Sequence, residues 1–155
     1  ISGFAATSNA TDMVEPSAAG LCEAMPRALI DAALAPSEIG YINAHGAGTR
    51  LGDFCEAQAI KEIFPQVRRL PVSSTKSMHG HAMGAAGAIE AIACIEAMRN
   101  GLLPLTIGLA DVDDGCDLDH IMEEARRCDV RYVMSTTHAL GGFNTSTVFA
   151  APPTP

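Results

Sequence analysis

Residues 80–100, GHAMGAAGAIEAIACIEAMRN, carry Glu90, Glu96 and Arg99 as the only charges in their body and are otherwise small or apolar almost all round. A helix with no polar face is expected to be buried, which calls for a layered fold with partners on both of its sides. The chain has 155 residues, enough to bury roughly 70% of its unfolded surface around one core. Its hydrophobic content of 48% excludes native disorder.

The remaining periodicity supplies those partners. Ala18, Leu21, Cys22, Met25, Ala28, Leu29 and Ala32 recur at helical spacing before Pro36. Ile39 to Ala44 (IGYINA) reads as a short strand, followed by the turn HGAGT. Phe54, Ala57, Ile60 or Lys61, and Phe64 mark a second helix, with Asp53 at its start and Pro65 at its end. Leu70 to Thr75 (LPVSST) is a second strand, 101–115 a long connection with Pro104 and Asp111, Asp113 and Asp114. Tyr132 to Thr137 and Thr145 to Ala150 are two more strands around a turn at Ala139 to Gly142, and the tail APPTP is too proline-rich to extend them. This order predicts an α/β layered domain with a mostly parallel sheet and an antiparallel closing pair.

Charge narrows the function. Ten Lys and Arg stand against 18 Asp and Glu, a net charge of −8 with no basic run, so nucleic acid is not an expected partner. No stretch approaches the roughly 20 apolar residues of a bilayer span, and the opening ISGFAATSNATD is not a signal peptide. Five cysteines without CxxC spacing read as reduced thiols of a cytoplasmic protein. The first residue is Ile1, not Met, and the expectation is a piece of something longer.

In parallel sheets, sites gather at the carboxyl ends of strands. Here IGYINA ends in His45, LPVSST in Lys76 and YVMSTT in His138, while SMHGH adds His79 and His81. For His79, His120 and His138 a structural role is the expectation; His45 and His81, beside glycines that admit close approach, are the functional candidates. Glu90 lies among alanines and isoleucines, where an unpaired carboxylate is costly, so a buried ion pair with Lys76 is predicted. Together these groups suit stabilising negative charge and moving protons at a thioester or other carbonyl. No cysteine is a convincing nucleophile: Cys94 and Cys22 lie in helices, and Cys55 has Asp53 and Glu56 beside it. His79 and His81 do not make a metal site, because alternate residues of an extended segment diverge and Lys76 repels a cation. Gly80, Gly84 and Gly87 fit neither GxGxxG nor a P-loop.

The strings YINAHGAGTRLGDFCEAQAIKEIF, VSSTKSMHGHAMGAAGAIEAI, LPLTIGL, GCDLD and LGGFN, in this order and spacing, resemble the carboxy-terminal part of the β-ketoacyl synthases of fatty acid and polyketide synthesis. The resemblance implies a thiolase-like fold of two similar halves, with residues 1–10 ending the first and 11–155 forming the second. It implies that an absent amino-terminal portion carries the nucleophilic cysteine. An acyl carrier protein would deliver substrates on its phosphopantetheine, with no other cofactor. Assembly would be a homodimer, or a heterodimer with a chain-length-factor-like subunit. By motif, His45 and His81 take the family's catalytic histidine positions, Lys76 its active-site lysine and Glu90 the carboxylate partner. Leu140, Gly141 and Gly142 take the turn whose backbone N–H serves the oxyanion.

The chain departs from the family at three places. The turn GFGGTN is here Ala139 to Asn144 with Leu140 for the phenylalanine that gates the acyl pocket. Ala47 replaces a threonine that helps bind pantetheine, leaving Thr49 as the hydroxyl contact, and His79 replaces a common threonine. Three alternatives stand beside a catalytic synthase: a non-catalytic chain-length-factor-like subunit, against which the presence of both His45 and His81 weighs, a thiolase or other relative of the same fold, and a metal protein.

Overall fold

A computed structural model describes residues 1–10, 12–14 and 16–152; of the tail APPTP, the last three residues lie outside this range. The elements are β1 (Gly3–Ser8), α1 (Ala18–Asp31), β2 (Tyr41–Asn43), α2 (Arg50–Ile63), β3 (Pro71–Ser73), α3 (Lys76–His79), α4 (Ala86–Asn100), β4 (Leu102–Leu103), β5 (Asp119–His120), β6 (Arg126–Arg127), β7 (Tyr132–Ala139) and β8 (Phe143–Ala150). Six strands form one sheet in the order β1-β8-β7-β2-β3-β5. β7, β2, β3 and β5 run parallel, and β8 and β1 close the sheet antiparallel, as the element order predicts. β4 and β6 pair separately.

The two-residue alternation of the strands sends side chains to opposite layers. Ile42, Val72, Met134 and Val148 pack with Leu21, Met25 and Leu29 of α1 and Ile60 of α2. Tyr41, Val133 and Phe149 pack on the other face, with Cys94 and Ala97 of α4. On β7 the same alternation turns Thr136 toward α2 and Thr137 toward α4, where their hydroxyls donate to Glu56 and Glu90. This register aims polar side chains of a single strand into two helical layers.

Two readings of the helices need correction. The stretch 80–100 is not one helix: α3 ends at Gly80 with φ +78°, Met83 has φ +50°, a single 3₁₀ turn spans Met83–Ala85, and α4 begins only at Ala86. The alanines and glycines between give periodicity no sign of the break. The expected burial of α4 is met on one stripe, Ala86, Glu90, Cys94 and Ala97. The opposite side is open, with Ile92 62% and Ile95 41% exposed, because the chain supplies one sheet against this helix and no second layer. On α2, Phe54 faces outward while Glu56, Ala57, Ala59 and Ile60 turn inward.

Candidate functional site

β2, β3 and β7 bring His45, Lys76 and His138 to the carboxyl edge of the parallel strands. His45 follows β2 and is buried, 4% exposed. Its backbone N–H and that of Gly46 each donate to the Glu56 carboxylate at 2.9 Å, and Thr136 Oγ1 donates to the same group at 2.6 Å. Ser74 Oγ donates to the carbonyl of Gly46 at 3.0 Å. The turn after β2 is thus tied to α2 by a buried carboxylate and to β3 by a hydroxyl.

Lys76 opens α3 and is buried against Glu90 of α4, which is 0% exposed; the predicted ion pair is formed. Burial pushes the Glu90 carboxyl up, and the Lys76 ammonium, as donor and as charge, offsets part of that push. Thr137 Oγ1 donates to the second Glu90 oxygen at 3.5 Å.

His81 lies beyond the Gly80 turn, its ring edge-on to His45 with centroids 5.2 Å apart and planes at 80°. His81 Nδ1 accepts the backbone N–H of Met83 at 3.1 Å, so in the neutral ring the proton sits on Nε2. Burial first, then His138, Lys76 and His81, pushes the His45 imidazole down from 6.5 to about 2. His45 is therefore a neutral donor and acceptor at working pH. Two imidazoles set edge to face at one strand edge can aim N–H groups at a single oxygen that gains negative charge.

The other predicted residues surround this pair. Ala47 is half-buried, and Thr49 is exposed just before α2. Leu140 is 64% exposed, on a 3₁₀ turn with Gly141 and Gly142 between β7 and β8. The Gly141 N–H donates to the Met13 carbonyl, so it is not available to a substrate oxygen. Gly142, at φ +72°, must be glycine, because a Cβ would meet Asn9 Oδ1 and, at 2.8 Å, the Ala10 nitrogen. His79 does not join the cluster: its Nδ1–H donates to Gly80 O at 2.8 Å, and its Nε2 lies 3.4 Å from Thr75 Oγ1. His120 contacts the Cys116 carbonyl at 2.8 Å and lines a cavity of about 230 Å³ that none of the three clustered imidazoles lines.

Two residues of the cluster escape sequence reasoning. Glu56 shares a helical stripe with Ile60 and Phe64, four and eight residues on, and a carboxylate in that line was the available signal. His138, read from sequence as structural, has its ring centroid 4.0 Å from that of His45. Among the described residues no group of three or more His, Cys, Asp or Glu could hold a metal. All five cysteines are free, and the buried Cys94 thiol is pushed up to about 12, first by burial and then by Glu90. No helix of the described residues is long and apolar enough to cross a membrane.

Residues 1–110 match the family described as β-ketoacyl synthase, carboxy-terminal domain. The chain belongs to the β-ketoacyl synthase family. The 3-oxoacyl-[acyl-carrier-protein] synthase 2 of Coxiella burnetii is 43% identical over 153 residues, 97% of this chain and 37% of that protein. The structure titled as the ishigamide ketosynthase/chain length factor superposes with a TM-score of 0.95 at 33% identity, over 99% of this chain and 38% of that one. AntDE:AntF, a type II polyketide acyl-carrier protein in complex with its ketosynthase, gives 0.94 at 31%, over 98% and 38%. The fold is thus the carboxy-terminal half of the thiolase-like β-ketoacyl synthase fold, and the chain spans a little over a third of these relatives.

Proposed function

We propose that this chain is the carboxy-terminal part of a β-ketoacyl synthase that condenses an acyl thioester with a malonyl unit on acyl carrier protein, in fatty acid or polyketide synthesis. The observation that carries the reading is the pair of imidazoles, His45 and His81, set edge to face beside the Lys76–Glu90 ion pair. Loss of CO₂ from the malonyl thioester breaks a carbon–carbon bond and moves its electron pair toward the thioester oxygen. N–H donors of His45 and His81 stabilise that enolate. Its carbon then attacks the acyl group held on a cysteine of the amino-terminal portion, and the thiolate leaves. The tetrahedral oxyanion takes a backbone N–H of the Leu140–Gly142 turn, where Gly141 is already engaged.

Lys76 and Glu90 form a buried ion pair beside the site, and Glu90 holds the Lys76 side chain in place. Thr49 and Ala47 border the path of the phosphopantetheine arm, the only prosthetic group the reaction uses. The partners are the cysteine-bearing portion, the carrier protein, and a second synthase or chain-length-factor-like subunit, in the cytoplasm. The open face of α4, with Ile92 and Ile95, is the surface that the cysteine-bearing portion covers. Retention of both His45 and His81 supports a catalytic chain over a chain-length-factor-like one.

The test combines this chain with the cysteine-bearing portion, acyl donor and malonyl carrier protein, and weighs the carrier intact. A β-ketoacyl carrier protein is expected; no malonyl consumption by the complete assembly overturns the reading.

A further inference from the structure

His138 enters none of the steps above, yet its ring is closer to His45 than the His81 ring is, 4.0 against 5.2 Å between centroids. Strand alternation turns it, with Thr136, toward the first turns of α2. The ring packs close over Gly52, where a Cβ would run into Thr49 Oγ1 and stand 3.2 Å from His138 Cε1. His45 Nδ1 and His138 Nε2 are both buried and have no hydrogen-bond partner among the described residues. Leaving such a group unmet is costly, so two unmet nitrogens on neighbouring rings point to each other as partners. The rings now stand tilted at 47°. A linear N–H···N bond between two imidazoles needs their centroids about 5 Å apart, so forming it takes a turn of the soft terminal torsions together with a side-chain shift that parts the rings by about 1 Å.

We propose that His138 is a positioning residue for His45, its Nε2–H donating to His45 Nδ1 and so fixing the His45 proton on Nε2, toward the reacting oxygen. The arrangement parallels His81, whose Nδ1 is held by the Met83 N–H. One backbone donor and one imidazole donor then set the tautomers of the two candidate catalytic rings. The balance of burial and neighbouring charge favours a neutral ring there. Burial holds it below the usual imidazole range, Glu56 and Asp53 of α2 pull the other way, and Lys76 and His81 add to the lowering. A neutral His138 keeps one N–H to give and adds no second positive charge beside Lys76.

The kinetic consequence rests on the proposed role of His45; the tautomer itself does not. In the complete synthase with ¹⁵N-labelled histidine rings, long-range proton–nitrogen NMR reads which His45 nitrogen is protonated. His45 is expected wholly as the Nε2–H form, becoming a mixture in His138→Phe. In His138→Gln, whose amide can donate, the Nε2–H form returns. The kcat of malonyl carrier decarboxylation is expected to fall about tenfold in the Phe variant with KM little changed, and to recover in the Gln variant. An unchanged His45 tautomer in His138→Phe overturns the proposal, as does a Gln variant no better than Phe. Should His138→Phe not fold, His138→Asn, smaller but with an amide donor of shorter reach, takes its place and must show the same mixed tautomer. If the unmodified synthase fails to decarboxylate, the proposed function falls while the NMR result still decides the role of His138.

Discussion

At the scale of single residues, the site depends on groups that burial forces into one state. An unfolded histidine takes up a proton below about 6.5, whereas folded His45 stays neutral down to about 2, so the unfolded chain binds more protons across that interval. Stability is therefore lost as pH falls from about 6.5. Between pH 7 and pH 5 the share due to His45 reaches up to about 2 kcal/mol. Urea denaturation at the two pH values is expected to show a smaller loss for His45→Gln than for the unmodified chain. Lys76→Ala strands Glu90 without its cation and is expected to cost about 3–5 kcal/mol, with Lys76→Ala/Glu90→Gln less damaging than the single change. Glu56→Ala leaves the N–H groups of His45 and Gly46 and the Thr136 hydroxyl without an acceptor, and is expected to cost about 3 kcal/mol or more. The Lys76–Glu90 pair was legible in the sequence because an acid among alanines and isoleucines needs a partner. His138 was placed at this edge by the sequence, but its contact with His45 was not legible, because it depends on how neighbouring strands are set side by side.

At the scale of elements, short apolar runs closed by turns marked the parallel strands β2 and β3, and alternation marked β7 and β8, which pair antiparallel. The start of α4 was misplaced because small residues fit a helix and a loop equally well, and the break rests on backbone angles at Gly80 and Met83. The β7–β8 turn is held in large part by the segment that follows β1. Asn9 N–H and Asn144 Nδ2 both donate to the Gly142 carbonyl, at 3.1 and 2.8 Å. Gly142→Ala has to adopt the left-handed region and displace Asn9 and Ala10, with an expected cost of about 1–3 kcal/mol. Hydrogen exchange at residues 139–144 is expected to quicken in that variant, with α1 and α2 unaffected.

At the scale of the whole molecule, a sheet covered on one face by α1 and α2 and on the other by α4 leaves α4 itself half open. Ile92 and Ile95 stand exposed, and His81 and Leu140 lie at the surface near the strand ends. In the proposed function this face is the seat of the cysteine-bearing portion. Ile92→Lys is then expected to leave the melting of this chain nearly unchanged while weakening its association with that portion. The central claim is that His45 and His81 stabilise the enolate. Its most direct measurement is the rate of CO₂ release from malonyl carrier protein by the complete synthase carrying His45→Ala or His81→Ala. The account predicts a fall of about 10²–10³-fold for each, the usual loss of one donor to a developing oxyanion; rates within twofold of the unmodified synthase would contradict it.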